Sequence, residues 1–201
     1  MELSLTIAII IVTVLVSWAG FNNDKLLQRL LLWPPAVSRG RQYDRFIGYG
    51  LVHGDFMHLL FNMFTLYFFG RLMEQFYGQY LGPWGFLGFY ASALVVSALP
   101  SYLRHRHDPN YATLGASGAV SAVLFAFVLL QPWATIYVYV IPVPAIIFAV
   151  LYTGYSVYMN HRKADQVNHS AHLAGAAYGV LFTVLMEPRV LGHFMASLLS
   201  P

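Results

Sequence analysis

The chain of 201 residues contains no cysteine. That excludes a disulfide scaffold, a Cys-ligated zinc or iron–sulfur site, and a thiol nucleophile. Charge is scarce too. Only 9% of residues are Asp, Glu, Lys or Arg, 8 acidic and 11 basic, against roughly 25% in a typical soluble domain. So few charges cannot coat a soluble globule of this size. No run of Lys and Arg is long enough to form a nucleic-acid patch, and there is no repeat or low-complexity tract. What the chain has instead is apolar surface: 58% hydrophobic and 16% aromatic residues, with a net charge of +3. The composition predicts a polytopic membrane protein, and the length allows one domain.

The charges cluster, so spans can be read between them. Leu3–Gly20 reads as a first transmembrane helix. A cleaved signal peptide is the alternative. It lacks a basic leader (only Glu2 is charged before the apolar run), and more apolar stretches follow. Asn22–Gly50 mixes Lys25, Arg29, Arg39, Arg41 and Arg45 with leucines at near-helical spacing, which predicts a short interfacial helix stopped by Pro34 and Pro35. Further spans are expected at Phe56–Tyr77, with Asp55 as N-cap, and at Leu81–Leu99, closed by Pro100. Others follow at Ala116–Gln131, Val143–Met159 and Ser170–Met186. Arg104 to Asp108 and His161–His169 read as polar loops. Thr135–Val140 reads as extended, and Pro144 suits the first turn of the fifth span. The fold class is therefore an all-α membrane protein, a compact bundle of six transmembrane helices. The fourth and sixth spans are short, roughly 24–26 Å at about 1.5 Å per residue. Their ends can sit below the membrane surface, under a water-filled pocket.

Polar groups inside spans are costly and point to function. Ser117 lies in Gly115-Ala116-Ser117-Gly118 at the start of the fourth span. By itself such a serine reads as a cap or a packing site. The flanking glycines, however, leave the hydroxyl accessible and the backbone amides of a helix N-terminus free to face an anion. That suits a nucleophile beside an oxyanion hole. His172 shares a helical face with Gly175 and Gly179, whose small-xxx-small spacing permits close helix approach. If the fourth helix is the partner, His172 reaches Ser117 as general base. His58 and Asn62, four apart on the second span, are candidate oxyanion donors, or else interhelical hydrogen-bond groups. With no Asp or Glu within the spans near them, the set reads as a Ser–His dyad rather than a triad.

These residues resemble the rhomboid family of intramembrane serine proteases. The match is His53 just before the second span, His58 and Asn62 within it, Gly115 to Gly118 opening the fourth, and His172, Gly175 and Gly179 in the sixth. Gly70-Arg71-Leu72-Met73-Glu74 looks like the family's GxxxE element, and Arg45 like its first-loop arginine. The resemblance implies Ser117 as nucleophile and His172 as base. It also implies that His58, Asn62 and the Ser117 amide stabilise the oxyanion. Gly175 and Gly179 would seat the sixth helix on the fourth, and Glu74 and Arg45 would be structural. It further implies transmembrane protein substrates cut near the membrane surface, admitted past the fifth helix, where Tyr152 or Tyr155 are candidate gate residues. No metal or cofactor is implied, nor nucleic acid as partner. The expected setting is the lipid bilayer of a bacterial inner membrane.

There are two departures. Bacterial relatives carry a Tyr stacked on the histidine four residues after the serine, where this chain has Ser121, and Asp44 rather than Trp precedes Arg45. Orientation is contested as well. Lys and Arg concentrate in the first, third and fifth loops, which the positive-inside rule would put in the cytoplasm. The family arrangement puts that side outside. Two other readings stand beside the protease: a catalytically inactive relative that binds transmembrane helices, and a haem or metal protein using His53, His58, His169 and His172.

Overall fold

A computed structural model describes residues 4–138, 140–162 and 167–199. Leu3, Tyr139 and Lys163 to Gln166 lie outside the described residues, so the start of the first expected span and the middle of the loop at 161–169 do too. Helix α1 is Leu5–Phe21. The first loop holds α2 (Asp24–Leu30), α3 (Pro34–Ser38), α4 (Arg45–Gly48) and a 3-10 turn, Tyr49–Leu51. The next long helix is α5 (Phe56–Thr65), a π turn (Leu66–Gly70) and α6 (Arg71–Leu81) in unbroken succession. Then come α7 (Gly85–His105) and α8 (Ser117–Leu130). A hairpin of β1 (Thr135–Val138) and β2 (Ile141–Pro144) leads to α9 (Ala145–Arg162), α10 (His169–Met186) and α11 (Arg189–Leu199).

Several expectations shift. Pro34 and Pro35 do not merely stop α2. They open α3, where a missing N–H in the first turn costs nothing. Pro100 does not end α7, which runs on to His105. Its last turn is held from outside: Ser101 donates to the Asn168 side-chain oxygen at 3.1 Å, and Tyr102 meets Phe46 edge-on. Arg104 and His105 are therefore helical, not loop. Pro144 lies in β2, just ahead of α9. The extended reading at 135 becomes a true antiparallel pair, Thr135 opposite Pro144. Helix α11 is not foreseen at all.

By length and composition, α7 and α10 can each cross a membrane, and α1 and α8 are apolar but shorter. The outer surface is clad in apolar groups, among them Leu15, Trp18, Phe64, Phe68 and Leu151. A soluble protein does not carry such a coat. Helix α8 is the centre: every residue from Gly118 to Leu129 is buried. Its 14 residues make it about 21 Å long, short of the roughly 30 Å hydrocarbon thickness.

Close contact fixes α10 against α8. A Cβ on Gly175 would run into the Gly118 carbonyl, and one on Gly179 into that of Ala122. Only glycine lets the two backbones meet there. Two polar residues act as caps. Glu74 accepts from the Ser4 hydroxyl (2.6 Å) and from the amides of Leu5 and Thr6, holding the start of α1. Arg45, buried, donates to the carbonyls of Gln28 (2.9 Å) and Leu31 (2.6 Å) at the end of α2. Both roles are structural, as expected.

Candidate active site

The N-termini of α5, α8 and α10 converge on one cavity of about 870 Å³, lined by His58, Asn62, Ser117, Ser121, Tyr152 and His172 among others. Each helix start is locally coded. The Asp55 carboxylate accepts from the His58 amide at 2.8 Å. Asn168 caps α10, its side-chain oxygen accepting from the Ala171 amide at 3.1 Å. Three helix N-termini pointing at one space give it a positive character suited to an anion.

Ser117 is the first residue of α8, and His172 sits one turn into α10. The glycine contacts between the two helices bring His172 Nε2 to 2.7 Å from Ser117 Oγ. Both side chains are only half-buried. The imidazole is flanked by the Tyr152 ring, nearly parallel to it, and by His169, nearly perpendicular.

The loop before Ser117 is fastened from the first loop. Leu32 and Thr113 exchange backbone hydrogen bonds at 2.9 and 3.1 Å, and the Gly115 amide donates to the Tyr49 carbonyl at 2.8 Å. His53, nearly solvent-free, takes the next amide: Ala116 N–H donates to its Nε2 at 3.3 Å. Its Nδ1 lies 3.0 Å from Ser17 Oγ, which donates to the Leu51 carbonyl. Nδ1 therefore carries the ring proton and donates it to Ser17. The amides of Gly115 and Ala116 are thus both used, and the Ser117 amide is the next in line, in the unpaired first turn of α8.

The glycines around Ser117 act differently from expectation. Gly115 has φ +107°, a conformation that disfavours any side chain. The space its Cβ would take is filled by the His58 ring, and that beside Gly118 by the Ser97 hydroxyl. They admit packing neighbours rather than open access. Asn62 spends one amide hydrogen on the His58 carbonyl at 2.8 Å, which leaves one to face the cavity.

His58, Asn62, Ser117 and His172 line the cavity, Gly118, Gly175 and Gly179 lie at the α8–α10 contact, and Gly115 packs against the His58 ring. His53 and His58 are in ring contact, as are His169 and His172. No group of three metal-binding side chains forms among the described residues. Asn168 was missed. It donates to Ser101 Oγ (2.8 Å) and Thr113 Oγ1 (3.2 Å), tying the start of α10 to the loop ahead of Ser117. An Asn just before an apolar run was the available signal. The sequence could suggest Tyr152 as a gate residue but not its contact with His172.

Comparison with known proteins gives a consistent picture. The model of the Rhomboid domain matches residues 40–189. RHOMBOID-like protein 12, mitochondrial, of Arabidopsis thaliana is 28% identical over 84% of this chain and 53% of its own length. Rhomboid protease GlpG of Haemophilus influenzae is 24% identical, covering 87% of this chain and 85% of its own. Rhomboid protein 1, mitochondrial, of Saccharomyces cerevisiae is 32% identical over 68% of this chain. The chain spans about half the length of the Arabidopsis relative and 40% of the yeast one.

Proposed function

The chain belongs to the rhomboid family, a membrane-embedded family that includes proteases, and from that premise we propose that it is an intramembrane serine endopeptidase working through a Ser117–His172 dyad. The observation that carries this reading is the 2.7 Å contact between His172 Nε2 and Ser117 Oγ, both of which line the cavity. In this reading α1, the α5–α6 run, α7, α8, α9 and α10 make six crossings, with the cavity open to water on one side. The compartment of the membrane is part of the proposal. The expectation of a bacterial inner membrane stands beside relatives with mitochondrial and chloroplastic names.

The chemistry follows from the geometry. With the imidazole proton on Nδ1, Nε2 accepts the Ser117 hydroxyl proton as Oγ attacks the scissile carbonyl. The negative charge that develops on the carbonyl oxygen faces the Ser117 amide, the free Asn62 amide hydrogen and His58, all in the field of three helix N-termini. His172 then returns the proton to the leaving amine, and the C–N bond breaks to give an acyl-enzyme. Water, losing its proton to His172, cleaves the ester. A substrate helix must unwind to offer its carbonyl, which exposes backbone amides at a cost of several kcal/mol each in lipid. Substrates with helix-breaking or small residues near the cut are therefore favoured. Ser117→Ala is expected to abolish cleavage of a model transmembrane substrate by the purified protein in lipid vesicles. Undiminished cleavage by that variant would reject the assignment.

A further inference from the structure

The orientation of the His172 imidazole decides whether its Nε2 faces Ser117. The sequence offers Ser121 one turn below Ser117 on α8, too short to reach it. In the structure the Ser121 hydroxyl instead meets the Tyr152 hydroxyl of α9 at 2.8 Å. The Tyr152 ring lies along the His172 imidazole, with centroids 5.9 Å apart and planes 24° from parallel. Phe125 of α8 and Phe148 of α9 close on the same ring, at 5.7 and 5.6 Å. Tyr152 is thus fixed at both ends, by its hydroxyl on α8 and by its ring between two phenylalanines and the histidine.

Its own helix is otherwise lightly held. Among the described residues of α9 only Ala145, Ala149 and Ser156 are buried. Tyr152 is the residue of α9 whose ring lies against the dyad histidine itself, while Tyr155 meets its neighbour His169.

We propose that Tyr152 is a positioning residue of the dyad, anchored on Ser121 and holding the His172 ring so that Nε2 faces Ser117. The proposal rests on the Ser117–His172 reading. A free histidine on a helix samples several χ1 and χ2 wells. A ring packed along one face, with His169 across the edge, leaves room for the well that meets Ser117. Misplacing a reacting group by about 1 Å can cost on the order of a hundredfold in rate. The arrangement also makes α9 part of the catalytic assembly. A substrate helix that enters by displacing α9 withdraws the Tyr152 ring, and His172 is held again only when α9 closes.

The test is the rate of Ser117 labelling by a fluorophosphonate, measured against pH on the full chain in lipid. Labelling of the wild type that vanishes in Ser117→Ala upholds the dyad, and absent wild-type labelling overturns the dyad itself. Given a labelled wild type, Tyr152→Phe keeps the ring but loses the Ser121 anchor, and is expected to fall several-fold, less than the leucine variant. Tyr152→Leu is expected to fall roughly tenfold or more, with its pH midpoint displaced from that of the wild type, which a loss of stability alone would not cause. A folded Tyr152→Leu protein labelled at the wild-type rate and midpoint overturns the positioning role and leaves the dyad standing. Should the leucine variant fail to fold, Ser121→Ala decides. It keeps the ring and removes the anchor, and a several-fold loss supports the proposal. An unchanged rate and pH profile in that variant overturns it.

Discussion

At the scale of single residues, His53 shows how a site is held together by a group that takes no part in the chemistry. Its Nε2 accepts from the amide just before Ser117, and its Nδ1–H is committed to Ser17 on α1. Protonating Nε2 would break the contact with Ala116 and leave a charge without water. Burial, with the neighbouring His58 adding to it, pushes the His53 imidazole down to about 3 from an ordinary 6.5. The sign follows from linkage: between those values the unfolded chain binds a proton that the folded one refuses, so stability rises with pH. The contribution is complete above about 6.5 and is lost progressively as pH falls toward 3. Thermal unfolding in detergent is expected to show a melting temperature that declines from pH 7 to pH 4. His53→Gln is expected to be less stable at pH 7 by about 1–3 kcal/mol, since the Ala116 amide loses its partner, but to have a flatter pH dependence. A wild-type slope in that variant would assign the acid sensitivity to another group. Tyr49 belongs to the same scaffold. Its hydroxyl donates to the Leu94 carbonyl at 2.8 Å, and burial pushes it up to about 12, so it stays neutral at any working pH.

At the scale of elements, the site is a matter of two helix surfaces. Gly175 and Gly179 leave no room for a methyl group against the Gly118 and Ala122 carbonyls. Gly175→Ala is expected to force α10 away from α8, at a cost of about 1–3 kcal/mol for overpacking. It should also lengthen the His172–Ser117 contact, so fluorophosphonate labelling falls well beyond what the lower melting temperature explains. Labelling at the wild-type rate would mean that the helices separate without moving the dyad. A second element is clamped from afar: Glu74→Gln is expected to lose about 1–2 kcal/mol, because a neutral amide is a poorer cap for the start of α1, with labelling little changed. Much of this was legible in the sequence. The places of the long helices follow from runs of apolar residues between charges, and the pairing of His172 with Ser117 follows from the glycine spacing that sets the helix approach. What escaped were features decided by tertiary contact. Pro100 reads as a stop, yet Ser101 and Tyr102 hold the turn beyond it. Tyr152 and His172 are 20 residues apart on different helices, and no local pattern encodes their stacking. The amphipathic α11 follows Glu187-Pro188, directly after the last expected span. It docks by Trp133 Nε1 donating to the Ser197 carbonyl and by His193 meeting the Leu130 carbonyl.

At the scale of the whole molecule, the charges and the family arrangement point to opposite orientations of the bundle in its bilayer. The cavity end carries Lys25, Arg29, Arg39, Arg41, Arg45, Arg104, Arg106 and Arg162, whereas the opposite end carries Arg71 and Arg189. The structure divides these cations by what they do. Arg45 is buried among helix-end carbonyls and serves α2, and Arg29 pairs with Asp44 at 2.7 Å. At the other end Arg189 pairs with Glu187 at 2.6 Å and holds that carboxyl well below the usual carboxylate range. The orientation rule counts Lys and Arg near span ends and gives little weight to acidic partners, so pairing alone does not remove the bias. A cation used to cap a helix is a different matter, because its position is explained by the fold. We weight the family arrangement above the count and expect the cavity to face away from the cytoplasm, with both ends of the chain inside. Reporter fusions decide this together with the number of crossings. Six crossings require a reporter truncated after Pro83 to lie inside, one after Asp108 outside, one after Trp133 inside, and one after Pro201 inside. If α7 and α10 alone crossed, the Asp108 and Trp133 fusions would report the same side. Alternation with every sign reversed would keep the six crossings and show that the loop arginines, not the family arrangement, set the orientation. The cavity would then open to the cytoplasm, and substrates would be cut at their cytoplasmic ends.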